Sequence, residues 1–279
     1  MHQINSISGS KESQKVAPER LIFTITAGRT GTAWLTSFIR DNSSFLSVHE
    51  FVGIDDFGSR MPDIRTMRTF NDIGLTDHVK KFWDRKFESF QKIQNYAEFN
   101  HTLSKCGLIE YMAKYTDLGK EVDIILLKRD NRVKQAISYL TRSDFLHVTI
   151  HWQWYLSYHY KRKILNPKPF LNHGIVGITF WYMFEMEARQ EYYKMIYGDR
   201  FNFIEAKLED ITKPVGAGLL AKALKINRDI NLPSRENTNL LDPSPEMIKL
   251  ATSFGSMCNI DPKSIAKTFI ESGDRLGDL

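Results

Sequence analysis

An apolar run from Leu21 to Ile25 gives way to Thr26-Ala27-Gly28-Arg29-Thr30-Gly31-Thr32-Ala33-Trp34 and then to an amphipathic stretch that ends near Arg40. A strand, a two-glycine turn and a helix in that order are the parts of a phosphate-binding loop. Gly28 and Gly31 let the backbone turn tightly with no Cβ in the way, so that successive N–H groups and the helix N-terminus converge on one anion. Arg29 adds a fixed positive charge, and Thr30 and Thr32 add hydroxyl donors. A Walker loop needs Lys after its second Gly, where this chain has Thr32, so the segment predicts a phosphate site without predicting an ATPase or kinase. Taken alone, the same turn also reads as an ordinary strand-to-helix connection.

The rest of the chain repeats the pattern. Apolar runs with strand character occur at Phe45 to Val48, Val122 to Leu127 and Phe201 to Ile204. Helical periodicity covers Thr32 to Arg40, Arg132 to Thr141, Thr149 to Lys163, Gly177 to Tyr197, Gly216 to Leu224, Pro245 to Ser253 and Pro262 to Ser272. Short strands buried on both faces and alternating with helices predict an α/β fold: a central parallel sheet with helices on both faces, its ligands bound beyond the carboxyl ends of the strands. No repeat or linker divides the chain after residue 20, so residues 1–19 read as a flexible polar tail and residues 20–279 as one domain. The charged, aromatic segment from Phe57 to Tyr96 is open to two readings, a helical cover over the site or a solvated connection.

With 42% hydrophobic residues among 279, the chain can bury a large core. It has no apolar stretch long enough to span a membrane and no apolar segment of signal-peptide type near Met1, which predicts a soluble protein with no membrane partner. Cys106 and Cys258 make no disulfide framework and lack metal-ligand spacing, so the expectation is buried thiols, a reducing cytoplasmic compartment and no metal. A net charge of +5 suits an anionic ligand, but the charges are scattered and give no run of the kind that tracks nucleic acid.

A second cluster follows the Val122 to Leu127 run: Lys128-Arg129-Asp130-Asn131-Arg132-Val133-Lys134-Gln135-Ala136-Ile137-Ser138. A strand end places Arg129 at the ligand edge, and the helix that follows returns Ser138 toward the same anion; the arginine fork suits phosphate because it donates two parallel hydrogen bonds. A third element, Val48-His49-Glu50-Phe51, lies just past the second apolar run and offers two groups, Glu50 and His49, able to take a proton.

Together these segments resemble the sulfotransferases that use 3′-phosphoadenosine 5′-phosphosulfate (PAPS), and most of all the bacterial trehalose 2-sulfotransferase type. The resemblance covers Leu21 to about Ile211 in scattered blocks. It implies a P-loop-like sulfotransferase fold in which Gly28, Arg29, Thr30, Gly31, Thr32 and Ala33 cradle the 5′-phosphosulfate and Arg129 and Ser138 hold the 3′-phosphate. Arg29 would also stabilise charge in the reaction. Asp130 stands where that family has a second Arg. Glu50, nineteen residues after Gly31, falls on the family's catalytic base, with His49 its rival because other sulfotransferase branches use His. The segment Phe201 to Asp210 resembles the family's late strand and turn, which makes Glu209 and Asp210 structural. The implied reaction moves a sulfuryl group from PAPS, leaving PAP, to a hydroxyl or amine of a small-molecule acceptor, with no metal. A sugar, a natural product or a saxitoxin-type alkaloid all fit the acceptor, and a homodimer is left open. Two other readings of the same residues are a P-loop nucleotide kinase or NTPase and a non-catalytic adenine-nucleotide-binding protein. Three further features read more blandly: His147 and His151 as packing or substrate lining, the aromatics from Trp152 to Tyr160 and from Trp181 to Tyr193 as core, and Arg235 to Asn239 as a polar loop.

Overall fold

The computed structural model describes residues 18–51, 53–119, 121–141, 154–234 and 242–277. Its elements run β1 (Arg20–Ile25), α1 (Thr32–Asn42), β2 (Leu46–Val48), α2 (Ile64–Asp72), α3 (Asp77–Phe90), β3 (Asn95–Glu98), α4 (Leu108–Tyr115), β4 (Val122–Lys128), α5 (Arg132–Leu140), α6 (Lys168–Leu171), α7 (Gly174–Tyr197), β5 (Asn202–Lys207), α8 (Leu208–Ile211), α9 (Pro214–Ala223), α10 (Pro245–Met257) and α11 (Pro262–Glu271). The five strands form one sheet in the order β2-β3-β1-β4-β5, and every pairing is parallel.

Alternation along the strands divides the core in two, because successive side chains leave a strand on opposite faces. Leu21, Phe23 and Ile25 of β1 and Val122, Ile124 and Leu126 of β4 face one layer, built from α2 to α5, α7, α10 and α11. Ile22, Ile125 and Leu127 face the other, built from α1 and α9. The loops that leave β1 and β4 therefore diverge, the first to α1 on one face and the second to α5 on the opposite face. Adjacent parallel strands whose loops diverge in this way are where open α/β sheets bind ligands, at the carboxyl ends. The α/β class and the parallel sheet match the sequence reading.

Three stretches differ from it or go beyond it. The segment from Phe57 to Tyr96, open to two readings in the sequence, holds α2 and α3, which bury Met67, Phe70, Val79, Phe82, Trp83, Phe87 and Phe90 against the sheet. It is not a solvated connection. The strand β3 was not anticipated, for its residues Asn-Tyr-Ala-Glu carry no apolar run. The helix expected over Thr149 to Lys163 is not formed in residues 154–163, which are turns and bends, while 149–153 lie outside the described residues, as do His147, His151, Trp152 and the stretch from Arg235 to Asn239. The reason lies in partners from elsewhere. Trp154 O accepts from Lys105 Nζ, Arg162 N donates to Asn71 O at 2.7 Å, and the N–H groups of Ile164 and Leu165 donate to the buried Glu185 carboxylate at 3.0 and 2.8 Å. Backbone groups claimed in this way do not close helical turns. No described helix is long and apolar enough to cross a membrane.

A candidate phosphate-binding site at the carboxyl ends of the first and fourth strands

The loop after β1 has a left-handed backbone at Gly28 (φ 97°), Arg29 (φ 55°) and Gly31 (φ 92°). Residues of that hand gather successive N–H groups into a concavity that suits an anion. At Gly31 the glycine is required by its φ, and a Cβ there would also push the Leu208 side chain, whose Cδ1 would lie at 2.5 Å. Arg29 holds the same hand with a side chain, a conformation uncommon outside glycine that the surrounding contacts must enforce. Gly31 caps α1, whose first helical bond is Leu35 N to Gly31 O at 3.0 Å, so the N–H groups of Thr32, Ala33 and Trp34 stand at the positive end of the helix without intrahelical acceptors.

The loop rests on side chains from α5 and α7. Tyr139 Oη lies 2.7 and 2.8 Å from Ala27 O and Gly28 O, Gln135 Nε2 donates to Gly28 O at 2.9 Å, and Tyr182 Oη donates to Ala27 O at 2.7 Å. Two turns farther along α7, Gln190 Nε2 donates to Ile25 O at 2.5 Å and Leu127 O at 3.2 Å, tying the carboxyl ends of β1 and β4 together. Burial raises the pKa of Tyr139 and Tyr182 well above the ordinary phenol value, which keeps both as neutral donors.

The two phosphate segments read from the sequence meet here. Arg29 Nε donates to Ser138 Oγ at 2.8 Å, and Arg129 Nη1 donates to Arg29 O at 3.2 Å. The Thr30 and Thr32 hydroxyls have partners within the site: Thr30 Oγ1 lies 2.6 Å from Thr26 Oγ1, and Thr32 Oγ1 lies 2.9 Å from His49 Nε2. Asp130 pairs with Lys207 at 3.1 Å. Glu209 accepts from the backbone N–H groups of Asp130 and Asn131 at 3.0 and 3.3 Å and so braces the turn into α5.

Glu50 lies in the segment after β2, with Oε1 3.3 Å from His101 Nε2. His101, just past β3, sets its ring against the loop: a Cβ on Gly28 would come within 3.3 Å of His101 Cγ. His101 Nδ1 lies 2.8 Å from Lys105 Nζ, which also reaches Tyr182 Oη at 2.9 Å and Trp154 O. Lys105 is fully buried, and that burial pushes its ammonium down to about 7. Trp154 and Tyr155 flank the His101 ring with centroids 6.2 and 5.3 Å away, and Phe57 meets Trp154 edge-on at 5.3 Å. An aromatic wall thus stands beside the carboxylate.

Sequence reasoning missed His101 and Lys105. The four-residue spacing of a His and a Lys was visible, but no strand was recognised before them to carry them to the ligand edge. It also took Tyr182 for core alone, whereas the ring is buried and its hydroxyl holds the loop. Cys106 is buried as expected and its thiol is pushed up by burial; Cys258 is only half-buried.

No protein-family model matches the chain, and no curated protein matches it.

Proposed function

We propose that the chain is a PAPS-dependent sulfotransferase with a P-loop-like fold, acting on a small-molecule acceptor. The observation that carries this reading is the contact between Arg29 and Ser138, reinforced by Arg129 on the Arg29 carbonyl, which joins two phosphate-type segments 109 residues apart in one crevice. Two anchored cationic side chains and a helix N-terminus suit a ligand with two separate phosphate groups better than one with a single polyphosphate tail. The position after Gly31 holds Thr32 and not the lysine of nucleoside-triphosphate loops.

In this reading the backbone of Gly28 to Ala33 holds the 5′-phosphosulfate, Arg129 and Ser138 hold the 3′-phosphate, and Arg29 supplies positive charge where the leaving phosphate gains negative charge. Glu50 takes the proton from the acceptor hydroxyl or amine as its bond to sulfur forms and the bond from sulfur to the bridging oxygen breaks. His49, tied to the Thr32 hydroxyl, orients the start of α1 and is not the base. The protein has little covalent work to do, so the rate comes from alignment and electrostatic stabilisation.

Ligand binding to the native state raises stability by mass action, so thermal unfolding in equal concentrations of PAP, AMP and ATP tests the assignment directly. PAP is expected to give the largest shift, and equal shifts for all three would sink it. With an acceptor identified from a panel of sugars, phenols and amines, Glu50→Gln is expected to lower turnover by about 10² to 10⁴ while PAP binding persists. Near-full activity in that variant beside a dead His49→Ala would transfer the role of base to His49.

A further inference from the structure

Behind Glu50 stands a chain of three polar side chains whose hydrogens can be counted. A lysine ammonium has three donors and no acceptor. Lys105 Nζ has three partners: Trp154 O, Tyr182 Oη and His101 Nδ1. Trp154 O only accepts. The Tyr182 hydroxyl proton is committed to Ala27 O at 2.7 Å, so its oxygen faces Lys105 as an acceptor too. The third hydrogen of Lys105 then goes to His101 Nδ1, which must be bare, and the imidazole proton sits on Nε2, 3.3 Å from Glu50 Oε1.

We propose that His101 is the positioning residue of this site: Lys105 fixes Nδ1 as the acceptor, and the Nε2–H that results orients the Glu50 carboxylate. The proposal rests on the reading of Glu50 as the base. With one carboxylate oxygen held by His101, the orientation of the carboxylate toward an acceptor's proton is set, and His101 itself, with its proton on the side facing Glu50, does not compete for that proton.

The count also says what happens when Lys105 loses a proton to solvent. Its two remaining hydrogens stay with Trp154 O and Tyr182 Oη, and its lone pair faces His101 Nδ1. That contact is favourable only if the imidazole proton moves to Nδ1, which turns a bare Nε2 toward the Glu50 carboxylate and abolishes the orienting bond. Burial brings this event near neutrality, at about 7. The other groups around the pair do not confuse it. Tyr139 from α5, Tyr182 from α7 and Cys106 from the same turn as Lys105 are all raised by burial and stay neutral, Arg189 from α7 stays charged, and Tyr155 stacks on the His101 ring.

The test is the tautomer of His101 in the full chain, read from imidazole ¹H–¹⁵N correlations between pH 6 and 9, with the signals assigned by their loss in His101→Gln. The Nε2–H form is expected at pH 6, crossing to the Nδ1–H form with a midpoint near 7 in the wild type, and no crossing in Lys105→Met. A wild type in the Nδ1–H form at pH 6, or a Lys105→Met that crosses as the wild type does, would overturn the proposal, and Nε2–H kept from pH 6 to 9 would support it with Lys105 charged throughout; the wild-type spectrum decides even if the variant fails to fold. PAP binding to the wild type, measured by calorimetry, separates the two levels. Binding with His101 in the Nδ1–H form at pH 6 removes the role of His101 and leaves the sulfotransferase reading standing, whereas absence of binding overturns that reading and the role of Glu50 as base with it.

Discussion

Among the described residues two lysines are buried, and they are buried differently. Lys86 of α3 has its ammonium 2.7 Å from the Glu98 carboxylate and donates to Arg60 O at 2.7 Å. Glu98 in turn accepts from Tyr96 Oη at 2.6 Å and Asn100 Nδ2 at 3.2 Å. The charges there cancel within one contact. Lys105, equally buried, is surrounded by neutral acceptors, and the carboxylate nearest in its chain of contacts, Glu50, lies beyond His101. A matched pair in the interior fixes structure; a cation held by neutral groups has lost solvation without gaining a counter-ion, so its proton is loosely held. The first arrangement lies beside β3, under α3. The second lies against the loop after β1, the candidate phosphate site, where a group that titrates near neutrality can affect chemistry.

The largest expected effect breaks the matched pair. Lys86→Met leaves Glu98 buried with no cation, and urea unfolding is expected to show a loss of about 3–5 kcal/mol. Adding Glu98→Gln should recover part of it, since a neutral amide tolerates the site better than a stranded carboxylate. If Lys86→Met costs little, the contrast with Lys105 fails.

The second prediction uses pH. The pKa of Lys105 is lowered by burial to about 7 in the folded chain from near 10.5 for an ordinary lysine, so between those values the unfolded chain binds the extra proton. Stability contributed by the wild type relative to Lys105→Met should therefore rise with pH through that window, by at most roughly 1.4 kcal/mol per pH unit. The deficit is complete below pH 7 and gone above the upper value. Unfolding midpoints of both proteins at pH 6.5 and 9 measure it, and a difference that is flat in pH would mean that Lys105 has a counter-ion after all.

The smallest effect is a control at the surface. Lys194 and Glu205 form an ion pair with both side chains about half exposed. Lys194→Ala is expected to change unfolding stability by less than about 1 kcal/mol, and less still in high salt. A loss comparable to that of Lys86→Met would show that contact, and not burial, sets the worth of these pairs.

What was legible in the sequence follows the same division between apolar pattern and polar partnership. The runs at Leu21 to Ile25 and Val122 to Leu127 could be read because strands covered on both faces are apolar throughout, and the turn after β1 could be read because its glycines are demanded by backbone geometry. The arrangement of Arg29, Arg129 and Ser138 was legible for that reason: each stands at a fixed offset from a recognisable strand. The short strand β3 was hidden because its Glu98 is stabilised by Lys86, Tyr96 and Asn100, partners that no local pattern displays. Missing that strand hid His101 and Lys105. The helix expected over Thr149 to Lys163 fails in its described part for a related reason, since Asn71 and Glu185 take the backbone groups that a helix would need for itself. Periodicity reports what a segment is able to do alone, and here distant polar groups decide.

One helix carries an unusual share of the long-range bonds. Along α7, Tyr182 holds the loop after β1, Glu185 and Arg189 hold the segment around Arg162 to Leu165, Gln190 ties β1 to β4, and Tyr193 donates to Glu110 at 2.8 Å. These residues share one stripe because their spacing follows the turn of an α-helix. Adding or deleting a single residue between Tyr182 and Gln190 would rotate everything beyond it by about 100°, so that either the loop or the strand ends lost their support. Length variation between Tyr182 and Gln190 is therefore forbidden in a way that side-chain variation is not: the helical phase of α7 acts as a ruler on which the geometry of the whole crevice is marked.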